Sequence, residues 1–407
     1  MKKAFVLSCL LIWLCVPLSG CWNRTELNEL SITSATSMDI EGDDWIVSYQ
    51  VIIPSAISSG TGITGSGSSQ SPITVFSTRG RTIRDAVNQS TTETPRQLFF
   101  AHNNILILSE EVARRGVSQI LDLHYRNPDA RETVSMLITK GKARTILEQL
   151  SHVEKIPGQS MRQIIFNETR NSSMVPGVMM YELALSLTSD AKSGVIPEIL
   201  LSGGLGETSM ESLKKTTYNS KIRLGDLAVM KEDKLAGWIT QEQGLGVSFL
   251  RDKVKSTILS FNCKPMDHQS YNSSFRLLSS STKLRPTKEN GHFIMDIDIK
   301  GDGHLLESDC NLDLSDPEVV HQLEMQLQKE VTLMIKTSWQ AVRKLRVDIL
   351  GFADIIHRTY PKEWKTLKDR WESEFVQIEL KPHVKISIDR VGLSNKSFRN
   401  LNKDDKD

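Results

Sequence analysis

The chain has 407 residues, of which 39% are hydrophobic, and carries 50 Lys and Arg against 49 Asp and Glu. This length and apolar content are sufficient for two or three domains with buried cores. The balanced charge argues against a nucleic-acid-binding protein, because such proteins show an excess of Lys and Arg.

The first residues have the composition of an export signal. Lys2 and Lys3 precede an apolar run over 4–17, and the chain then reads Leu18-Ser19-Gly20-Cys21. A basic head, a short apolar run and a small-residue exit form the secretory pattern. The apolar run is shorter than the roughly 20 residues that a membrane-spanning helix needs. We therefore predict a signal peptide over residues 1–20 that is cleaved after Gly20.

The end of this signal also fits the lipobox of bacterial lipoproteins, which reads Leu-small-small-Cys. An ordinary signal peptide would need small residues at positions −3 and −1 from the cut, but Leu18 occupies position −3. The sequence therefore predicts that Cys21 carries an S-diacylglycerol group and an N-acyl group as the first residue of the mature chain. Several acyl chains on one residue give stable anchoring, whereas a single chain binds a membrane only marginally. No other run approaches spanning length, so the lipid is the only membrane attachment that the sequence predicts. Because the signal directs export, the predicted location is the extracytoplasmic face of a membrane.

The remaining cysteines leave two readings open. Cys9 and Cys15 depart with the signal, so the mature chain keeps Cys263 and Cys310 besides the lipidated residue. In an exported protein these two could form a disulfide. They could equally be two separate buried thiols.

The segment 21–210 predicts an N-terminal α+β domain. Residues 45–54 are rich in β-branched and aromatic side chains, which is typical of a strand. Gly, Ser, Thr and Ile dominate residues 55–72, which predicts a flexible surface loop. The strand predicted over 104–108 is followed by Ser109, which we expect to cap a helix.

Residues 220–310 predict a middle, β-rich domain. A hairpin is expected between 225–229 and 235–239, and the run 292–300 alternates apolar and polar residues as a half-buried strand does. The interspersed helices and strands show no regular βαβ rhythm. We therefore expect mixed or antiparallel sheets with flanking helices.

Residues 311–394 predict a C-terminal α+β domain. Asp316 followed by Pro317 is a favourable helix start, and apolar residues at steps of three or four predict a helix of about 30 residues. Trp364, Leu367 and Trp371 indicate a shorter helix, and a final strand is expected over 384–391. The charged segment 395–407 is predicted to be a disordered tail. The fold class is thus α+β, in three domains, with a long helix in the C-terminal part.

Two motifs associated with catalysis or cofactor binding occur in the sequence, but neither has the surrounding features that its function requires. Gly60-Thr-Gly62-Ile-Thr-Gly65 matches G-x-G-x-x-G, but no strand-to-helix turn surrounds it, so a dinucleotide site is not expected. Ser-x-x-Lys occurs at Ser189/Lys192, Ser212/Lys215 and Ser280/Lys283. The companion motifs of penicillin-recognising enzymes are absent.

No metal or catalytic constellation is predicted. The nine histidines do not have the spacing of a metal site. Asp296, Asp298 and Asp302 miss the calcium-loop pattern and read as the polar face of a strand. His102 is expected to be a structural hydrogen-bonding residue. The sequence therefore predicts a non-enzymatic protein without a cofactor, as expected for a binding or assembly component.

Several motifs together resemble one family. Residues 20–27, Gly-Cys-Trp-Asn-Arg-Thr-Glu-Leu, resemble the start of the Ger(x)C spore germination lipoproteins, which typically read Gly-Cys-Trp-Asp where this chain has Asn23. The resemblance extends over roughly residues 20 to 393. Other similar segments are 81–86, 99–104, 111–116, 121–126, 140–147, 227–231, 233–238, 242–246 and 364–375.

The resemblance implies a role rather than a reaction. Members of the family are C subunits of nutrient germinant receptors in Bacillus-type spore formers. They act with an A-type and a permease-like B-type integral membrane subunit at the spore inner membrane. The family fold is three α+β domains, and no catalytic residue is assigned to it. Two alternatives remain: a solute-binding lipoprotein of a transport system, which should show two similar α/β lobes, and a cell-envelope hydrolase, which should show a catalytic constellation.

Overall fold

The structure is a computed structural model that describes residues 26–58, 70–127, 130–204, 206–217, 220–264, 271–310 and 312–392. The predicted signal peptide, Cys21 and the predicted tail lie outside the described residues. So does most of the predicted loop 55–72, including Gly60, Gly62 and Gly65.

A sheet of nine strands fills the N-terminal half of the chain, in the order β3-β2-β1-β5-β6-β7-β8-β9, with β4 beside β1. β1, β5, β6 and β7 run parallel at its centre, and antiparallel pairs flank them on both sides. The strands are β1 (Leu30–Glu41), β2 (Asp44–Ile52), β3 (Ile73–Gly80), β4 (Gln97–Phe99), β5 (Ile105–Ser109), β6 (Ser135–Thr139), β7 (Ser193–Gly203), β8 (Ser220–Lys231) and β9 (Lys234–Ile239).

Helices cover this sheet. Every residue of β5 and β6 is buried, as expected of parallel strands with helices on both faces. The predicted cap at Ser109 is confirmed, because its side chain accepts a hydrogen bond from the backbone N–H of Val112 at 3.3 Å. The helices are α1 (Pro54–Ser58), α2 (Ile83–Glu93), α3 (Glu110–Arg115), α4 (Ser118–Arg126), α5 (Arg144–Leu147), α6 (Pro157–Asn171), α7 (Met180–Thr188) and α8 (Gln241–Leu250).

The second sheet has the order β10-β11-β12-β13, with β13 parallel to β12 and the other pairs antiparallel. The turn between β11 and β12 is formed by Asn290 and Gly291, which both have positive φ, at 50° and 86°. Asn-Gly is the preferred pair for such a turn because both residues tolerate this conformation. The strands are β10 (Thr257–Phe261), β11 (Ser273–Glu289), β12 (His292–Ser308) and β13 (Glu379–Arg390).

A long helix, α9 (Pro317–Leu345), has 29 residues and confirms the predicted helix. Asp316 accepts a hydrogen bond from the N–H of Glu318 at 2.9 Å, as its capping role requires. The apolar pattern of α9 is interrupted at Ser338, whose hydroxyl donates to the carbonyl of Gln243 on α8 at 2.8 Å. A Cβ at Gly246 would lie 2.2 Å from the Ser338 hydroxyl, so small residues on both helices allow their close approach.

The remaining C-terminal helices differ from the sequence expectation. A single helix was expected around Trp364, Leu367 and Trp371, but a 3₁₀ turn over Lys368–Arg370 divides it. The three tryptophan and leucine side chains are nevertheless buried, so burial alone did not require a continuous helix. The helices are α10 (Phe352–Thr359), α11 (Pro361–Leu367) and α12 (Trp371–Phe375).

The two sheets cross the boundaries of the three predicted domains. β8 and β9, from the predicted middle domain over 220–310, join the sheet of the predicted N-terminal domain. β13, from the predicted C-terminal domain over 311–394, pairs with β12 of the middle one. The α+β class with mixed and antiparallel sheets is confirmed, whereas the three-domain division stays a prediction.

Candidate functional sites

The predicted lipid anchor lies just before the described part of the chain. Gly20 and Cys21 precede Glu26, the first described residue. Within the described ranges, no helix combines the length and the hydropathy needed to cross a bilayer. The lipidation of Cys21 therefore stays a prediction from the lipobox.

Cys263 and Cys310 are brought together at one end of the second sheet. Cys263 follows β10 and Cys310 follows β12, the two strands on either side of β11. Their Cα atoms lie 6.6 Å apart with the sulfur atoms in bonding contact. This Cα distance falls within the roughly 4.4–6.8 Å range of disulfides. The backbone geometry thus fits the disulfide reading, and the bond in the mature protein stays a prediction.

The serines of the Ser-x-x-Lys motifs serve local turns or lie apart from their lysines. The hydroxyl of Ser189 donates to the carbonyl of Ser186 at 2.9 Å, and that of Ser212 donates to Ser209 at 2.7 Å. Ser280 and Lys283 are three residues apart on β11, so they lie on opposite faces of the strand. Neither arrangement activates a hydroxyl as a nucleophile.

The predicted polar face of β12 is present. Asp298 pairs with Arg285, and the other two aspartates accept hydrogen bonds from neighbouring hydroxyls, Asp296 from Thr287 at 3.1 Å and Asp302 from Ser279 at 2.5 Å. In the described ranges, no cluster of three or more His, Cys, Asp or Glu residues could hold a metal ion. The ring of His102 packs edge-on against Phe99 with centroids 5.8 Å apart.

A buried carboxylate that the sequence analysis missed is Asp39 on β1, which is only 3% exposed. Its two oxygens accept hydrogen bonds from the N–H groups of Ala143 and Arg144, at 2.8 and 3.1 Å. These groups belong to the first turn of α5, where a negative charge is favourable. Burial raises the pKa of Asp39, and the two N–H groups offset part of this rise.

Replacing Asp39 with Ala is expected to lower the free energy of unfolding by about 2 kcal/mol, because two largely buried N–H groups lose their acceptor. Chemical denaturation followed by circular dichroism measures the loss. Asp43→Ala is the matched control, since Asp43 is exposed in the turn that follows the same strand. An equal loss in both variants would contradict the capping role.

A second missed group is Glu198 on β7, whose side chain is 3% exposed. Lys140, which follows β6, lies 3.3 Å from Glu198 and 3.0 Å from Asp226 of β8. The Lys140 ammonium also lies 4.5 Å from the ring centroid of Trp238 on β9. A Cβ at Gly225 would lie 2.3 Å from a Glu198 oxygen, so only glycine leaves room for this carboxylate. The cluster links four neighbouring strands, so its role is structural.

A third buried carboxylate is Asp348, which is 4% exposed and lies between α9 and α10. Its oxygens accept four hydrogen bonds, from the N–H groups of Leu350 (3.2 Å), Phe352 (3.1 Å) and Ala353 (2.7 Å) and from the Trp371 indole (3.2 Å). Burial raises the pKa of Asp348 to about 6, although the hydrogen bonds lower it in part. One carboxylate therefore organises the start of α10 and attaches α12 to it.

Asp348 also connects the two halves of the chain. The hydroxyl of Ser193, the first residue of β7, donates to the main-chain carbonyl of Asp348 at 2.6 Å. Nearby, the carboxylate of Asp190 lies 2.7 Å from Nδ1 of His357 on α10, and the backbone N–H of Asp190 donates to the carboxylate of Asp354 at 3.1 Å. These contacts fix the helices of the C-terminal part against the first sheet.

Models of known protein families match both halves of the chain. A model described as "Spore germination protein N-terminal domain" matches residues 23–201, and one described as "Spore germination B3/ GerAC like, C-terminal" matches residues 225–392. The chain belongs to the Ger(x)C family of spore germination proteins. The resemblance noted from the sequence motifs is thereby confirmed.

Relatives in this family match over their whole length. The chain is 27% identical to Spore germination protein KC of Bacillus subtilis (strain 168), with 100% of both chains covered. It is 20% identical to Spore germination protein B3 of the same organism, covering 97% of this chain and 100% of that one. The crystal structure of the GerBC protein aligns with a TM-score of 0.54 at 16% identity, over 87% of this chain and 97% of that one. This likeness establishes a shared fold.

Proposed function

We propose that the chain is a lipid-anchored, non-enzymatic subunit of a spore nutrient germinant receptor. The observation that carries the proposal is the similarity, over at least 88% of this chain, to curated spore germination proteins including KC, B3 and A3 of Bacillus subtilis. The lipobox ending at Cys21 supports the tether. The hydroxyls and carboxylates that could have suggested catalysis take part in turns, caps and ion pairs.

The proposed partners are an A-type and a permease-like B-type integral membrane subunit, with the lipidated chain on the outer face of the spore inner membrane. Affinity purification of the tagged chain from spore membranes tests this assembly. We expect both membrane subunits to co-purify, and deletion of the gene to weaken germination in response to at least one nutrient. Purification of the chain without any permease-like partner would contradict the proposal.

The alternative of a solute-binding lipoprotein gains no support from the described residues. The first sheet does contain parallel strands at its centre, in agreement with the mixed sheets that the sequence predicts. The second sheet is largely an antiparallel meander with one parallel strand added. The described sheets therefore do not form the two similar α/β lobes expected of that class.

Replacing Cys21 with Ala is expected to abolish incorporation of labelled palmitate and to prevent cleavage after Gly20, because the thiol is the atom that takes the diacylglycerol group. Metabolic labelling and mass spectrometry of the N-terminal peptide measure both effects. Cys9→Ala is the matched control, since Cys9 lies within the predicted signal and outside the lipobox. Palmitate label on the Cys21→Ala chain would contradict the predicted anchor.

A further inference from the structure

A cavity lies between α2, α4 and the strands β1 and β2 of the first sheet. Its enclosed volume is about 40 Å³, within about 530 Å³ of space between atoms that is partly open to solvent. In this measure one water molecule needs roughly 10–15 Å³, so the enclosed part has room for about three non-hydrogen atoms or water molecules. A shallower groove between α2 and α4 shares Arg84, Leu123 and Asn127 with the cavity. The cavity is therefore accessible to a small molecule from outside.

Two hydrogen-bond acceptors line the cavity. Asn103 is only 6% exposed, and its amide nitrogen donates to the hydroxyl of Thr36 at 2.9 Å. The amide oxygen of Asn103 is buried and has no hydrogen-bond partner among the described residues. An unpaired buried acceptor costs stability, so a partner from outside the chain would be favoured there.

The second acceptor is the Nε2 atom of His124. The Nδ1 atom of this ring lies 3.0 Å from the carbonyl oxygen of Ile120, which can only accept, so Nδ1 carries the proton. Burial lowers the pKa of His124, which keeps the ring neutral and leaves Nε2 as an acceptor. His124 therefore complements Asn103 as a site for a ligand donor.

Two guanidinium groups lie where the cavity meets solvent. Arg84 on α2 and Arg131 in the segment before β6 both line the cavity and are both exposed. Among the described residues that line the cavity none is acidic, and neither arginine forms an ion pair in the described part of the chain. A carboxylate would find charge-assisted partners at this rim.

Apart from these polar groups, the walls of the cavity are mainly apolar. They are formed mainly by the side chains of Met38, Val47, Val87, Phe100, Leu123 and Val134. We propose that this cavity binds a small monocarboxylate with a short aliphatic body and a hydroxyl group, a short-chain hydroxy acid. The hydroxyl group donates to Asn103 or His124, the aliphatic body contacts the apolar walls, and the carboxylate is held by Arg84 and Arg131.

The charge of the cavity distinguishes this ligand from an amino acid with the same skeleton. An ammonium group would lose its hydration beside a neutral imidazole and an amide, near two arginines and with no carboxylate to pair with among the described lining residues. A hydroxyl group makes the same hydrogen bond without bringing a positive charge. The site should therefore prefer the hydroxy acid over the amino acid.

Isothermal titration calorimetry on the purified, lipidated full-length chain tests the proposal with three probes that share one carbon skeleton. The probes are 3-hydroxypropanoate, β-alanine and propanoate, which lacks the hydroxyl; outside its carboxylate, 3-hydroxypropanoate has three non-hydrogen atoms, as many as the enclosed part can hold. We expect saturable binding of the hydroxy acid with a dissociation constant below about 1 mM. Each of the other two should bind at least about tenfold more weakly. The probe without the hydroxyl cannot donate to the buried acceptor, and the amino acid must remove the hydration of its ammonium group. Absence of hydroxy-acid binding, or equal binding of β-alanine, would overturn the proposal.

Variants locate the binding in this cavity. Asn103→Leu removes the buried acceptor, and Arg84→Gln with Arg131→Gln removes the rim charges; each is expected to weaken hydroxy-acid binding about tenfold or more. The arginines are exposed, so the double variant should fold even if Asn103→Leu does not. Arg114→Gln is the control, because Arg114 is an exposed arginine on α3 outside the cavity. Unchanged affinity in the double arginine variant would place the binding elsewhere and overturn the proposal. This site does not rest on the proposed receptor role, and neither result of the titration bears on the membrane partners.

Discussion

Replacement of Asp348 with Ala is expected to lower the free energy of unfolding by about 4 kcal/mol, because four buried donors lose their shared acceptor. The donors are three N–H groups at the start of α10 and the indole of Trp371. Urea denaturation followed by tryptophan fluorescence measures this loss. Asp369→Ala is the matched control, since Asp369 is exposed in the 3₁₀ turn between α11 and α12. A loss below about 1 kcal/mol, the usual effect of a surface substitution, would refute the central role of Asp348.

The same residue gives the fold a pH dependence of defined sign. The pKa of Asp348 is about 6 in the folded chain, raised by burial from its ordinary value of 3.8. The part of the stability that is linked to this pKa shift is therefore fully present below pH 3.8 and is lost as the pH rises through about 6. A shift of this size corresponds to about 3 kcal/mol.

Comparison with Asp348→Asn isolates this contribution. Carboxylates whose pKa is lowered by ion pairs, such as Glu41 and Glu372, contribute stability that increases as the pH rises. They are present in both proteins, so their effect cancels in the comparison. The stability of the wild-type chain minus that of Asp348→Asn should fall between about pH 4 and pH 7. Denaturation curves at several pH values provide the measurement. A difference that stays constant over this range would show that Asp348 does not titrate there.

Removal of the predicted disulfide is the second large effect. Cys263 and Cys310 are separated by 47 residues in the chain, and closing a loop of this size restricts the unfolded chain by about 4 kcal/mol. We expect Cys263→Ala with Cys310→Ala to lower the free energy of unfolding by up to this amount. Reduction of the wild-type chain should produce the same loss, which separates the bond from the packing of the side chains.

The alternative of two free thiols makes a different prediction. In that case the double variant would lose only the packing of two small side chains, and reducing agent would not alter the wild-type protein. Alkylation of the denatured, unreduced chain distinguishes the two readings, because a disulfide leaves neither Cys263 nor Cys310 available for labelling. Labelling of both would reject the bond.

Local chemistry made part of the fold predictable from the sequence. The start of α9 depends on Asp316 and Pro317, and the β11–β12 turn depends on Asn290 and Gly291; each signal lies within a few residues of the structure it determines. The family resemblance was visible for the same reason, since it rests on short motifs in a fixed order. The capping role of Ser109 belongs to this group as well.

The features that were not predicted depend on residues far apart in the chain. The parallel pairing of β1 with β5 joins segments that are separated by three other strands and two helices. Asp348 is recognisable as a buried acceptor only once Trp371 and the first sheet pack around it. Likewise, the cavity beside Asn103 is assembled from two strands, two helices and two connecting segments. No local pattern marks any of these sites.

The pairing of β7 with β8 has a consequence for how the protein can be divided. The two family models meet between residues 201 and 225, yet β7 and β8 pair from Ser193–Lys231 to Gly203–Ser220 across that boundary. Expression of either half alone would leave a long row of unpaired main-chain groups on an apolar strand, which invites aggregation. We therefore expect the two recognised halves to fold as one unit, and biochemical dissection should use point variants of the intact chain rather than fragments.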